Sequence, residues 1–475
     1  MASALVASGC LWGVVKGPQG VGVSAVTVTY TDANGNTSST TSGAGGLYVF
    51  DSATGPVPSI GTVTFDISKQ GYQLSRSPTW LGQTSALVLY NDNPGATLEN
   101  MSSFWEVQIF GLDLAAGNIV TVASGLSFPA GAVYRDIDLF FSERGSCVVK
   151  EMTWSGEISV VAGTGICGYS GDGGPAISAQ LNAPTGLALD QHRNLVIVDT
   201  GNCRIRKVDL SSNTITTVAG NGTCGFAGDG GAATLASLGL SDTHVPSPYV
   251  WSGVDFDRSG NMYIADGFNC RVRKVDTVGK ITTFAGSGPT GFACGSFGGD
   301  GGPAAAARLD GPSSVAVAPR GDVFVADLGN CRIRMVDAES GIIRTVAGNG
   351  DCTSSGDGGA AKSAGIANPR GLAIDAAANL YISELRFAGA SLTPTDCRVR
   401  RVDNQTGKIT TVAGSGTCGY GGDEGPATAA QINTPAEIAV GCFGEIAFAE
   451  PASGRIRIMS DVISGGPARG DCPVP

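Results

Sequence analysis

The sequence has little charge, few histidines and no long apolar run. Charged residues make up 15% of its 475 residues, against about 25% in an ordinary soluble domain. The net charge is −11 and the arginines stand singly at fixed spacings. No basic face is therefore expected for binding nucleic acid. No run of about 18 apolar residues occurs, so no helix is expected to span a membrane.

Catalytic signatures are also missing from the sequence. The two histidines are His192, expected in a turn between strands, and His244, expected in a loop between repeats. No G-x-S-x-G elbow, phosphate loop or H-E-x-x-H motif occurs. The sequence therefore predicts a protein that is not an enzyme, with no catalytic residue, no metal and no cofactor.

Glycine and cysteine are the residues present in excess. Glycine contributes 72 of 475 residues, roughly twice the usual share, which is typical of a β-protein with many tight turns. Thirteen cysteines indicate an oxidising compartment. The start, MASALVASGC, is too short and lacks the basic residues of a signal peptide. We expect a secreted protein whose targeting segment was removed or lies outside this sequence.

Four sequons could carry glycans in such a compartment. Each triplet is a weak signal when taken alone. The acceptor residues are Asn36, Asn100, Asn221 and Asn404.

Internal repeats decide the predicted fold. One unit reads GLALD, NLVIVD, CRIRKVD and TITTVAG, and three further units follow the same order, with a degenerate unit over residues 138–163. Short alternating segments separated by Gly, Asp and Asn indicate antiparallel hairpins. Four such strands per unit describe the blade of a β-propeller.

The last unit lacks its fourth strand. The pattern of that strand occurs upstream instead, in GLDLAAGNIVTVASG at residues 111–125. An N-terminal strand that completes the C-terminal blade would close the ring and cover a sheet edge. We therefore predict an all-β, six-bladed propeller.

The units resemble NHL repeats. The shared mark is the acid that ends the second strand, followed by Asn-x-Arg-Ile/Val-x-Lys/Arg, and it covers roughly residues 111–462. The resemblance implies the same propeller. Some NHL propellers are lyases that hold a metal through central histidines. This sequence has no matching histidines, so that activity is not transferred.

The N-terminal segment is different. Its order of Gly-x-Val, Gly-Val-x-x-Ala-x-Val, Thr-Ser-x-x-Gly-Gly-x-Tyr-x-Phe and Gly-Tyr resembles a carboxypeptidase-regulatory-like (Ig-like or transthyretin-like) β-sandwich. The resemblance implies a stability or interaction module. We expect the sandwich at 1–80, a connector at 81–110 and the propeller at 111–475.

The cysteines recur 20 to 24 residues apart, one at the start of the third strand and one after the fourth. Folding the hairpin brings the two together, and metal ligation would need short C-x₂-C loops, which are absent. Cys442 with Cys472 is the first choice for a sixth bond, and Cys10 would remain as a free or intermolecular thiol. The predicted pairs are Cys147–Cys167, Cys203–Cys224, Cys270–Cys294, Cys331–Cys352 and Cys397–Cys418.

An acidic residue also repeats in all six units, and an arginine follows it in five of them. A ring of carboxylates could bind metal or act in acid–base catalysis, but identical placement in each unit favours structural ion pairs. In the first unit the acid is Glu143 and Val148 replaces the arginine. The predicted pairs are Asp199–Arg204, Asp266–Arg271, Asp327–Arg332, Glu384–Arg398 and Glu450–Arg455.

A Gly-Asp-Gly-Gly-type loop links successive units. Its aspartate could belong to a Ca²⁺ site, yet each loop offers a single acid among turn glycines, which favours a turn. The aspartates are Asp172, Asp229, Asp300, Asp357 and Asp423.

The sequence therefore favours a non-catalytic extracellular protein for structure or recognition, with a surface coat or fibre subunit as the leading hypothesis. Other subunits of the same kind or glycans are the expected partners. A receptor-like propeller that binds a peptide or glycan is the alternative. A metal-dependent lyase or hydrolase is a weaker one.

Overall fold

The computed structural model describes residues 117–153, 156–241, 252–288, 294, 297–388, 393–441 and 444–460, together with the backbone of seven N-terminal strands. The chain divides into two compact units, Met1–Gly117 with Ser460–Pro475, and Asn118–Met459. Over these described ranges no helix has the length and apolarity needed to cross a membrane.

The N-terminal strands form two sheets. The first has the order β4-β1-β7-β6 and the second the order β3-β2-β5. Strands β6 and β7 fall in the expected connector, yet β7 pairs with β1. The predicted sandwich and the boundaries at 80 and 110 stay predictions. The strands are β1 (Leu11–Lys16), β2 (Thr27–Thr31), β3 (Thr37–Thr41), β4 (Leu47–Phe50), β5 (Thr64–Ser68), β6 (Thr84–Leu89) and β7 (Phe104–Phe110).

The second unit contains six four-stranded antiparallel sheets, which confirms the predicted six-bladed, all-β propeller. Blades I and II contain β9 (Pro129–Arg135), β10 (Asp138–Glu143), β11 (Val148–Met152), β12 (Ile158–Ala162), β13 (Pro184–Leu189), β14 (Leu195–Asp199), β15 (Arg204–Asp209) and β16 (Thr214–Ala219). Blades III and IV contain β17 (Val254–Phe256), β18 (Met262–Asp266), β19 (Arg271–Val275), β20 (Ile281–Ala285), β21 (Pro312–Val317), β22 (Val323–Asp327), β23 (Arg332–Val336) and β24 (Ile343–Ala347).

Blade VI takes its outer strand from the start of the unit. Blades V and VI contain β25 (Pro369–Ile374), β26 (Leu380–Ala388), β27 (Thr393–Val402), β28 (Ile409–Gly416), β29 (Ile438–Val440), β30 (Glu445–Glu450), β31 (Arg455–Ser460) and β8 (Ile119–Ala123). Strand β31 pairs with β8, with Met459 opposite Ile119 and Ile456 opposite Ala123. The predicted closure by an N-terminal strand is therefore present.

The first strands of the blades surround the axis, contacting one another in the order β9, β13, β17, β21, β25 and β29. Apolar residues on alternate positions of the strands pack between adjacent blades. Between blades I and II, for example, Phe140, Val149, Leu195 and Ile215 share one buried cluster. The core is thus divided into layers between the blades.

Segments that we call clasps bind each blade to the next. The clasps are residues 171–176, 228–233, 299–304, 356–361 and 422–427. In the first of them, Gly173 N–H donates to the carbonyl of Ile215 at 2.8 Å, and Ile215 N–H donates to the carbonyl of Gly174 at 3.0 Å. A clasp therefore leaves one blade and covers the outer edge of the following one.

Single 3-10 turns follow the clasps and the second strands. They are Ala176–Ser178, Thr200–Asn202, Ala233–Leu235, Gly267–Asn269, Ala304–Ala306, Ala361–Ser363, Ala427–Ala429 and Pro451–Ser453.

Candidate functional site

Five disulfides join the third strands to the loops that follow the fourth strands. Their Cα atoms lie 5.1 to 5.5 Å apart. In blade II the bonded Cys203 follows a 3-10 turn with φ +48°, and in blade VI Gly454 takes that left-handed position with φ +63°. The bonds are Cys147–Cys167, Cys203–Cys224, Cys270–Cys294, Cys331–Cys352 and Cys397–Cys418, as expected from the spacing.

Three predicted cysteines and two sequons cannot be placed. Cys10, Cys442, Cys472, Asn36 and Asn100 lie outside the described residues.

The other two sequons, Asn221 and Asn404, are exposed. The Nδ2 of Asn221 donates to the carbonyl of Leu235 at 3.1 Å. The Nδ2 of Asn404 donates to the carbonyl of Ala377 at 3.3 Å. Both asparagines therefore remain candidates for glycosylation at the surface.

The predicted ion pairs named the wrong arginine. Arg204 lies opposite Asp199 in the strand ladder, but it stands at the strand end. Its guanidinium turns outward and donates to the carbonyls of Asn202 and Asn221. Arg398 likewise pairs with Asp396. The same correction applies to three further predicted arginines, whose side chains also donate to backbone carbonyls. They are Arg271, Arg332 and Arg455, and the carbonyls are those of Asn269, Asn330 and Ser453.

The arginine two positions later is the one that binds the acid. Arg206 is fully buried, and its Nη1 lies 3.3 Å from Oδ2 of Asp199. Its Nη2 lies 2.7 Å from Oδ1 of Asp172, the aspartate of the clasp. We call this trio a clamp. The other clamps are Asp229–Arg273–Asp266, Asp300–Arg334–Asp327, Asp357–Arg400–Glu384 and Asp423–Arg457–Glu450.

The clasp aspartate therefore does more than the predicted turn. Gly171 and Gly173 do adopt left-handed φ values of +88° and +81°. Asp172 also bridges two blades, because the clasp comes from blade I and Arg206 belongs to blade II. Removal of the arginine would leave two carboxylates without their countercharge, which is strongly destabilising for a buried group.

The two acids of a clamp differ in environment. Burial raises the pKa of Asp199 to about 6, although Asn202, the Asn182 N–H and Arg206 oppose the shift. Burial also raises the pKa of Glu450 to about 7. Burial acts in the same direction on Asp172, but hydrogen bonds from Thr217 and Tyr169 with the charge of Arg206 outweigh it and lower its pKa. In the first clamp the inner acid Asp199 therefore protonates before Asp172 as the pH falls.

An aromatic ring covers most of the clamps. The guanidinium carbon of Arg204 lies 3.7 Å from the Tyr169 ring centroid, and that of Arg206 lies 5.0 Å from it. Such stacking stabilises both cations. Blade V has Ser354 at the equivalent position, and its Oγ donates to the longer acid Glu384. The other rings are Phe226, Phe297 and Tyr420.

Two acids near the axis break the repeat. Asp255 stands on the first strand of blade III, and Glu437 directly precedes that of blade VI. Other blades have Ala188, Ala316, Ala373, Ala439 and Val133 in place of Asp255, and Gly131, Gly186, Gly253, Gly371 and Ser314 in place of Glu437.

The glycines at the position of Glu437 in other blades show how closely the first strands of neighbouring blades approach each other. A Cβ atom at Gly131 would lie 2.2 Å from the carbonyl oxygen of Thr185. In blade VI, the Glu437 carboxylate instead extends toward blade IV, where Ser314 Oγ donates to its Oε1 at 3.1 Å. Blades IV and VI are not neighbours, so this side chain crosses the axis.

Burial shifts the titration of both axial acids. It raises the pKa of Glu437 to about 8, and the charge of Asp255 adds to the shift. Burial raises the pKa of Asp255 to about 6, while the N–H groups of Val317 and Phe256 oppose it. Glu437 is thus a carboxylic acid that holds its proton near neutral pH. Among the described residues no group of three His, Cys, Asp or Glu side chains could hold a metal.

The sequence reasoning missed Asp255 and Glu437. A column-by-column comparison of the blades could have found them, because an acid replaces a small residue once in each column.

Similarity to known sequences points to one kind of propeller. A family model for the teneurin NHL domain matches residues 289–337. Teneurin-1 of Homo sapiens is 29% identical over 303 residues, covering 46% of this chain and 11% of Teneurin-1. With the six blades, these findings support an NHL-type propeller.

A plant protein is also similar. The protein SUPPRESSOR OF QUENCHING 1, chloroplastic, of Arabidopsis thaliana is 26% identical over 290 residues, covering 59% of this chain and 25% of that protein. The chain thus spans between about a tenth and a quarter of the length of these two relatives.

A solved structure shares the fold. A protein of unknown function from Bacteroides thetaiotaomicron VPI-5482 superposes with a TM-score of 0.50 and 14% identity, covering 94% of this chain and 93% of that one. A gluconolactonase from Xanthomonas campestris gives a TM-score of 0.44, 14% identity and coverage of 72% and 88%. Neither likeness indicates an activity for this chain.

Proposed function

We propose that this chain is a non-catalytic extracellular protein that serves structure or recognition, as a subunit of a surface coat or fibre. The observation that carries the proposal is the set of five disulfides, one in each of five consecutive blades. Such bonds persist in oxidising compartments outside the cytosol. Each closes a loop of about 20 residues, which stabilises a fold by roughly 3 kcal/mol in the chain-entropy model.

The surface supports a structural role. Charged residues make up only 15% of the sequence, so an interface between copies would remove few charges from water. Ile166 and Leu235 are exposed by 65% and 73%, and Asn221 and Asn404 offer glycan acceptors. Partners are other protein subunits or glycans, and the N-terminal sandwich would add a second binding module.

Two measurements on the secreted chain test the proposal. Mass mapping without reduction should recover the five blade disulfides and reveal the state of Cys10, Cys442 and Cys472. Electron microscopy at high concentration should show filaments or sheets. A monodisperse monomer would remove the coat or fibre function, and reduced blade cysteines would remove the extracellular assignment.

A receptor-like function is the second candidate, and blade V favours it. Its second and third strands continue past the acid Glu384, with Arg386 opposite Thr395 and Phe387 opposite Pro394. The extended hairpin gives this blade a projection suited to a peptide or glycan. Glycan-array and peptide-display binding, compared between the chain and a variant with residues 386–395 replaced by a short turn, tests this function.

A lyase or hydrolase acting near the axis is a weaker candidate, favoured only by Glu437 and Asp255. Elemental analysis that finds no bound metal would remove its metal-dependent form.

A further inference from the structure

The outer edge of blade I differs from the outer edges of the other five blades. Each of those edges is covered by a clasp from the preceding blade, which exchanges two backbone hydrogen bonds with one isoleucine. The isoleucines are Ile215, Ile281, Ile343, Ile409 and Ile119, all 0% exposed.

Within the described residues blade I receives no clasp, because the connection that should carry it is short. Residues 124–128 alone join β8 of blade VI to β9 of blade I. The equivalent connection between blades I and II spans residues 163–183 and carries the first clasp. In the part of the chain that the structure describes, no clasp therefore lies in front of β12.

Ile158 is the isoleucine of that uncovered edge. It lies opposite Met152 in the ladder, as Ile215 lies opposite Val208. Its side chain is 39% exposed and that of Val160 is 41% exposed. No residue in the described ranges pairs with the outward N–H and carbonyl of Ile158. This short edge therefore combines free backbone groups with an apolar surface.

A cation stands where the clasp aspartate would bind. Lys150 occupies the clamp position of blade I and forms an ion pair with the buried Glu143. Its side chain is 25% exposed, whereas the side chain of the clamp arginine Arg206 is 0% exposed. Glu143 also accepts from Ser127 N–H and Ser146 Oγ. Lys150 thus has room for the second carboxylate that every clamp arginine has.

We propose that the outer edge of β12 is a docking site for an extended Asp-Gly-Gly segment of a partner protein. The segment adds to the blade as a strand. Its glycine backbone exchanges two hydrogen bonds with Ile158, its carboxylate pairs with Lys150, and it covers Ile158 and Val160. The five clasps define this chemistry, since each of them binds the next blade in this way, the fifth with Glu424 in place of the first glycine.

The inference rests on the proposed function, because it names one surface through which a recognition module would take a partner. The docking proposal and the proposed function can be contradicted independently of each other. Binding of the segment says nothing about disulfides or secretion, and those measurements say nothing about β12.

A synthetic peptide with the sequence of residues 171–178, GDGGPAIS, is the probe. Its ends are blocked, and its binding to the intact full-length chain is measured by calorimetry. We expect saturable one-to-one binding. A peptide with Asn in place of Asp should bind about 5- to 10-fold more weakly, since charged hydrogen bonds contribute more than neutral ones. Absence of saturable binding, or equal binding of the two peptides, would overturn the proposal.

Two variants locate the binding edge. Ile158→Pro removes the outward donor while leaving the inner ladder, as edge strands tolerate, and should weaken binding at least tenfold. Lys150→Gln should abolish the preference for Asp over Asn, whereas Lys207→Gln, on the clasp-covered blade II, should preserve it. Unchanged binding by Ile158→Pro with a native unfolding temperature contradicts the site.

Hydrogen exchange without peptide provides an independent check. The amide of Ile158 should exchange much faster than that of Ile215, and added peptide should slow only the former. Equal protection in the free chain would mean that the edge is already covered by the chain itself. Residues 465–468, Gly-Gly-Pro-Ala, resemble part of a clasp. That result would overturn the partner proposal.

Discussion

Five junctions between blades and the sixth, closing junction are built differently. At each of the five, a clasp crosses to the next blade and its aspartate binds a fully buried arginine, as in Asp172–Arg206. At the closing junction the connection is short, Lys150 replaces the arginine and Gly454 replaces the cysteine. There the ring closes through the pairing of β31 with β8. Ladder hydrogen bonds inside blade VI thus close the ring where no clasp with its ion pair is described.

The largest effect is expected from removing a clamp cation. Arg206→Met should lower the free energy of unfolding by about 3–5 kcal/mol, since it leaves Asp199 buried and uncompensated. Lys150→Met should cost less than half as much, because Lys150 is partly exposed. Guanidinium denaturation with the disulfides intact measures both losses. Equal losses would show that the closing junction depends on its cation as strongly as the others.

Isoleucines on the outer strands allow a second comparison between a blade edge that a clasp covers and the edge of blade I. Ile215→Ala should cost about 2–4 kcal/mol, because the cavity lies in the core. Ile158→Ala should change stability by less than about 0.5 kcal/mol, since its side chain is exposed in the unbound chain. Thermal unfolding monitored by circular dichroism gives the two shifts. A large loss for Ile158→Ala would mean that something covers β12.

The axial acid of blade VI should make stability depend on pH. The folded state raises the pKa of Glu437 from its ordinary value of 4.5 to about 8. The resulting stabilisation is fully present below about pH 4.5 and is lost as the pH rises through 8. Glu437→Gln should therefore be more stable than the parent by more than about 1 kcal/mol at pH 9 and similar to it at pH 5.

Unfolding midpoints at several pH values measure this effect. The exposed Glu339→Gln serves as the control, and it should leave the profile unchanged. Parallel profiles for Glu437→Gln and the parent would contradict the raised pKa of this half-buried acid.

The smallest effect on stability is expected from removing an aromatic ring that covers a clamp. The Phe226 ring lies 4.2 Å from the guanidinium carbon of Arg271. Phe226→Leu keeps an apolar side chain but removes the π face, and should cost about 0.5–1 kcal/mol. Blade V, which has Ser354 there, shows that a clamp persists without a ring. Thermal unfolding should resolve the loss, and a cost comparable with that of Arg206→Met would contradict this ranking.

The sequence predicts the parts that depend on spacing along the chain. Alternation gave the strands, the cysteine intervals gave the five disulfides, and the displaced fourth strand gave the closure by β8. These features follow from local periodicity together with one rule about edges. The N-terminal sandwich, the domain boundaries and the bond between Cys442 and Cys472 stay predictions.

The contacts of the clamps and of the axial acids could not be predicted from the spacing of residues along the chain. Arg204 and Arg206 share a strand face, and only the packed blade shows that one guanidinium turns out at the strand end and the other points in. Asp172 approaches Arg206 only after the chain has turned into the next blade. Glu437 meets Ser314 across the axis, at a sequence separation of 123.

The pairing of β8 with β31 has a consequence for synthesis of the chain. Ala123 emerges from the ribosome 333 residues before its partner Ile456. The groups of strand β8 that pair with β31 must therefore stay without their partners until blade VI has been synthesised. Blades I to V each consist of four consecutive strands and can form earlier, as domains do during translation. The last step in forming the propeller is then the pairing of β8, its first strand to be synthesised, with β31, its last.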